Sequence, residues 1–119
     1  MRRCRAFLLA LALLAAGPFN QARAEGFLSA CEDLPLAPGL TEVPDSSLSF
    51  DTPSGRIVEA YAKGTVGERT MLAFYASTLP QLGWTRESDT RFRREAEVLR
   101  LDSSVEDRKL VVHFTISPE

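Results

Sequence analysis

The chain has 119 residues, with 14 Lys and Arg, 16 Asp and Glu, and 45% hydrophobic residues. That suffices for one ordinary core and is too little for the two-lobed clefts that house most cofactor enzymes. All 16 acidic residues but only 10 of the 14 basic ones lie from residue 25 onward, so this portion carries a net charge of −6, which speaks against nucleic-acid recognition by a basic face.

The chain opens Met1-Arg2-Arg3-Cys4-Arg5, a basic stretch, and continues with 11 apolar residues, 6–16. A membrane anchor needs about 20 apolar residues, whereas a run of this length suits the apolar region of a signal peptide. Gly17 and Pro18 break the run, and Ala22-Arg23-Ala24 places small residues at the −3 and −1 positions of a leader-peptidase site. Residues 1–24 are therefore expected to be a signal peptide cut before Glu25. The expected product is exported, periplasmic and soluble. Leu28-Ser29-Ala30-Cys31 has the form of a bacterial lipoprotein box, which makes Cys31 a lipidation candidate and a lipid-anchored envelope protein the alternative reading. In a lipoprotein signal the box follows the apolar run directly, but here Asn20, Gln21, Arg23 and Glu25 intervene. Once Cys4 is removed with the leader, Cys31 is the one remaining thiol and has no intramolecular disulfide partner.

Residues 25–47 read as an extended strap, because Pro35, Pro38 and Pro44 exclude helix. Its expected anchors are Leu34, Leu36, Leu40 and Val43. Residues 48–118 read as the folded domain. Leu48-Ser49-Phe50 alternates, Thr52-Pro53-Ser54-Gly55 has turn chemistry and residues 56–62 are rich in β-branched and aromatic types, so a β-hairpin is expected, ended by Gly64. Thr65-Val66-Gly67-Glu68 has the form of a capping box, and Met71, Phe74, Tyr75, Leu79 and Leu82 recur at helical spacing. The spacing predicts one helix over about 66–80, with Gly83 as the residue that turns the chain out of it.

Short strands are expected at 84–87, 91–94 and 97–101, then a polar loop over 102–108, then a strand with Leu110, Val112, Phe114 and Ile116 on one side. The expected order is ββαβββ. This is an α+β domain, with a single helix packed on one face of a mostly antiparallel sheet of four to five strands.

The segment Phe74-Tyr75-Ala76-Ser77-Thr78-Leu79-Pro80-Gln81-Leu82-Gly83-Trp84 resembles an F-Y-x-x-T-L-P-x-L-G-W core found in a group of small exported bacterial proteins of unknown function. In that group an Arg-Phe-x-Arg-Glu strand follows, here Arg91 to Glu95, and the resemblance spans residues 50–118. It implies export and a fold but brings no activity, cofactor or site residue.

The residues needed for most chemistries are missing. His113 and Cys31 are the only His and Cys expected after leader removal, too few for a structural zinc site. Asp102, Glu106 and Asp107 lack the spacing of a calcium loop, no nucleophile elbow occurs and the glycines are scattered, so no cofactor is expected. A small hydrolase would have to use Glu95 or Glu97 with His113. Arg86, Arg91, Arg93, Arg94 and Arg100 fall on neighbouring predicted strands and form the one candidate contact surface, suited to an anionic lipid headgroup or an envelope protein. Glu87, Asp89, Glu95 and Glu97 lie among them and can neutralise it. The sequence therefore points to a non-enzymatic binding or envelope accessory domain.

Overall fold

The computed structural model describes residues 26–119, so the expected leader and its cleavage point lie outside the described residues. Strict alternation from Lys109 to Pro118 makes a ten-residue strand, β9, whose apolar side carries Leu110, Val112, Phe114 and Ile116, all buried. Every other main-sheet strand is arranged around β9. The others are, in chain order, β3 (Leu40–Glu42), β4 (Leu48–Thr52), β5 (Gly55–Gly64), β6 (Thr85–Ser88), β7 (Arg91–Arg94) and β8 (Glu97–Glu106). Together they form a seven-stranded antiparallel sheet ordered β3-β5-β9-β8-β7-β6, with β4 sharing the outer edge of β5 with β3. Two further strands, β1 (Phe27–Leu28) and β2 (Cys31–Pro35), pair only with each other.

This overturns the expectation of a ββαβββ α+β domain with four to five strands. Of the described residues 56% are strand and 16% helix, so the molecule is mostly antiparallel sheet with one short helix. Two misreadings explain the difference. Proline excludes helix but not strand, and the strap holds β1, β2 and β3, with Pro35 at the last position of β2. The polar residues 102–106 were expected to form a loop, but they continue β8 against β9, with Asp102 opposite His113 and Glu106 opposite Lys109. The turn is only Asp107-Arg108, both with positive φ (52° and 67°), the conformation that closes a two-residue hairpin.

The single α-helix, α1 (Glu68–Thr78), is followed by a 3₁₀ turn, Leu79–Leu82, where Pro80 tightens the winding. Gly83 then reverses the chain in the left-handed region at φ 97°, as the sequence predicts. The capping box does not form. The cap residue is Gly67 with no side-chain cap, and Glu68 instead accepts a hydrogen bond from Ser103 on β8 at 2.7 Å. Met71, Tyr75 and Leu79 are buried in one cluster with Val58, Leu99, Leu101 and Phe114 from the sheet and Leu28, Leu34, Leu36 and Leu40 from the strap.

Two devices fasten the strap around residues 35–40. The Tyr75 hydroxyl donates to the Pro35 carbonyl at 2.7 Å and accepts from the Ala37 N–H at 3.0 Å, while its ring meets Phe114 edge-on at 5.8 Å. Farther on, β3 runs so close to β5 that a Cβ on Gly64 would lie 1.7 Å from the Gly39 carbonyl oxygen. Only glycine allows that approach.

Tyr75→Phe keeps the ring but strands a buried carbonyl and a buried N–H. Unfolding in urea is expected to show a loss of about 2–4 kcal/mol, against under 1 kcal/mol if the hydroxyl were merely solvated.

Candidate functional site

Alternation puts Arg91 and Arg93 on the sheet face away from the helix, with Arg100 directly opposite Arg91. Glu87 takes both of the first two, Arg91 Nε at 2.8 Å and Arg93 Nε at 2.7 Å. The hydrogen bonds from Arg93 and then Arg91 hold its carboxyl below the usual carboxylate range. Arg93 also pairs with Glu119, and Arg86 with Asp89. Arg100 is exposed and, among the described residues, makes no ion pair. The stripe is therefore largely neutralised by its own neighbours, and little net positive field is left to attract an anion.

Arg94 points the other way, to the helix side. Its guanidinium lies 4.3 Å from the Trp84 ring centroid, donates to the Leu82 carbonyl at 3.1 Å and pairs with Asp33 of β2 at 2.9 Å. Asp33 also accepts from the Cys31 thiol at 3.2 Å. Cys31 is only 4% exposed, and burial, reinforced by the hydrogen bond and the charge of Asp33, pushes its pKa up to about 11. It is a protonated core thiol, poorly suited to nucleophilic attack. A second pair, Arg56 Nε to Glu97 Oε2 at 2.7 Å with Arg56 Nη2 to Glu97 Oε1 at 3.2 Å, ties β5 to β8.

His113 and the two candidate carboxylates are not brought together. His113 lies on the open face, stacked on Tyr61 with ring centroids 4.2 Å apart, and its Nε2 meets Glu59 at 3.2 Å. Glu97 is on the opposite face, engaged by Arg56, and Glu95 is exposed in the β7–β8 turn. Among the described residues no group of three or more His, Cys, Asp or Glu is placed to hold a metal, and no helix is long and apolar enough to cross a membrane.

Among the described residues a groove of about 690 Å³ lies between α1 and the β1–β2 hairpin, open to solvent along one side. Phe27, Val66, Phe74 and Leu82 give it apolar walls, Pro35 and Pro38 line its strap side, and Thr70, Ser77, Thr78 and Gln81 supply hydroxyls and an amide. None of its lining residues is ionisable. The sequence reading misses it. Phe27 receives no role there, and Phe74 and Leu82 are counted with the buried stripe. The available signal is that this stripe is wider than one sheet contact needs. Met71, Tyr75 and Leu79 fill that contact at i, i+4 and i+8, leaving Phe74 on the flank and Leu82 beyond the 3₁₀ turn, 36% exposed.

Set against known proteins, the chain matches no family model, no curated protein and no solved structure.

The Asp33–Arg94 tie carries a pH signature. Partial burial raises the Asp33 pKa, but the hydrogen bonds from Arg94 and Cys31 and the charge of Arg94 together outweigh it and hold its carboxyl below the ordinary carboxylate value of 3.8. A carboxylate depressed on folding stabilises the native state above its unfolded pKa, and that stability is lost as pH falls through the folded one. Unfolding midpoints of wild type and Asp33→Asn are therefore expected to differ at neutral pH and to converge as pH drops below 3.8. A gap independent of pH would remove this assignment.

Proposed function

We propose that this chain is an exported, non-enzymatic binding domain of the cell envelope. In this reading the groove beside α1 takes an uncharged, apolar segment of an envelope protein. The observation that carries it is the groove's chemistry: apolar walls, a rim of hydroxyls and an amide able to meet a peptide backbone, and no ionisable residue. An anionic headgroup would find no counter-charge there, and the arginines that could supply one on the sheet are already paired, Arg100 apart. The open side suits a segment laid along the groove better than a small molecule enclosed in it.

Export rests on the leader-like residues 1–24. The lipid-anchored alternative would make Cys31 the first residue, deleting Phe27–Leu28 with its buried Leu28 and the Ser29 bonds to Glu42 at 2.9 and 3.0 Å. The carboxylate hydrolase would need Glu95 or Glu97 beside His113, and neither is there.

Intact-mass measurement of the exported product is expected to give a chain starting at Glu25 with unmodified Cys31. A diacylated Cys31 at the N-terminus would replace this reading with the lipoprotein one. For the groove, capture from envelope extract is compared between wild type and Leu82→Lys, an exposed position whose change should leave the melting midpoint nearly unaltered. The expected result is an envelope protein retained by wild type and lost from Leu82→Lys. Equal retention by both, or none by either, would overturn the assignment.

A further inference from the structure

Among the described residues the large sheet has two edges that pair with no further strand, and they are treated differently. The β6 edge is fully exposed and carries charge, with Arg86 paired to Asp89 and Glu87 held by two arginines. Such charges are the usual guard against strand-to-strand association. The β4 edge carries one charge, Asp51, and presents Leu48 and Phe50, 51% and 47% exposed. We infer that β4 pairs antiparallel with β4 of a second copy of this chain, joining the two sheets across a two-fold axis at Phe50.

The register follows from the hydrogen-bonding parity of β5. The Tyr61 N–H and C=O both point toward the β3–β4 side, to the Ser46 hydroxyl at 3.1 Å and the Val43 N–H at 2.8 Å. By alternation the main-chain groups of Gly55, Ile57 and Glu59 point the same way and serve their partners Thr52, Phe50 and Leu48. The N–H and C=O groups of Ser49 and Asp51 therefore face outward, unpaired in the sheet. With the axis at Phe50, Ser49 meets Asp51 of the second copy and Asp51 meets its Ser49, so all four outward groups of each chain are used, in four inter-chain hydrogen bonds. Phe50 opposes Phe50 in the non-hydrogen-bonded pair, where side chains approach most closely, on the face that already exposes Leu48 and Tyr61. The charges agree: the single acid on this edge faces a serine hydroxyl and not its own copy. So short a seam falls below the roughly 1,200 Å² of a standard interface, so the dimer is weak and concentration-dependent.

The test is sedimentation of the exported protein over a wide concentration range. Wild type is expected to shift from monomer to dimer. Ser49→Pro removes an outward N–H while sparing every bond to β5, eliminating two of the four inter-chain hydrogen bonds and weakening association by ~10-fold or more. Ser49→Lys places a cation opposite Asp51 in both halves of the seam and should strengthen it. Should Ser49→Pro lose its fold, Phe50→Lys serves instead, setting two cations face to face on the axis. Wild type and Ser49→Lys that stay monomeric throughout would overturn the proposal, as would a dimer indifferent to Ser49→Pro or Phe50→Lys. The outcome is independent of the groove, whose variant Leu82→Lys should dimerise as wild type does.

Discussion

The phenol of Tyr75 joins three stretches of chain, the helix, the sheet and the proline-rich segment, at a single side chain. Its ring sits in the core against Phe114 of the longest sheet pairing, its backbone belongs to the helix, and its hydroxyl satisfies a carbonyl and an N–H of the proline-rich segment. Burial keeps this phenol protonated far above its ordinary pKa, so it remains able to donate and accept at once. Proline makes such an outside partner necessary. Pro35 and Pro38 have no N–H of their own, and the main-chain groups near them do not continue a regular ladder. With that satisfaction in place, Leu34, Leu36 and Leu40 can close the core over α1, and one wall of the groove exists at all.

The same segment shows why some of the fold was legible and some was not. Alternation is a strong signal where one face is buried, and it gives β9, β5 and the β4–β5 hairpin from residues alone. It fails for residues 102–106, whose side chains are polar but for the exposed Val105, because that end of β8 reaches past most of the core. Only pairing with β9 makes them strand. It fails again for 26–42, where proline signals are read as the absence of structure although two short strands and one edge strand form there, one of them ending on Pro35. The capping box illustrates the opposite error: Glu68 has the right spacing to cap the helix, but Ser103 offers it a partner from another strand. Long-range partners of this kind leave no local trace.

Candidate contact residues divide along similar lines. A run of arginines is conspicuous in a sequence, yet the charge that remains depends on which acids lie within 3 Å, and Glu87 serves two of them at once. A groove formed by the side of a helix and the proline-rich segment draws on two stretches, 27–38 and 66–82, that lie at least 28 residues apart, so no short window of sequence contains it. The solvent-facing side of the sheet shows the same principle: Tyr61 and His113 stack at nearly parallel planes because β5 and β9, far apart in sequence, set them directly opposite.

Trp84 is the chain's single indole, almost wholly buried, with a guanidinium over its ring and its N–H without a partner among the described residues. Its emission therefore arises from one place and is averaged over no other fluorophore of its kind. That place is the seam where the turn after α1 meets the salt bridge holding β2. Detachment of the hairpin would withdraw the cation and admit water beside the excited ring, so the molecule carries its own optical gauge of whether that closure is shut, legible without any label.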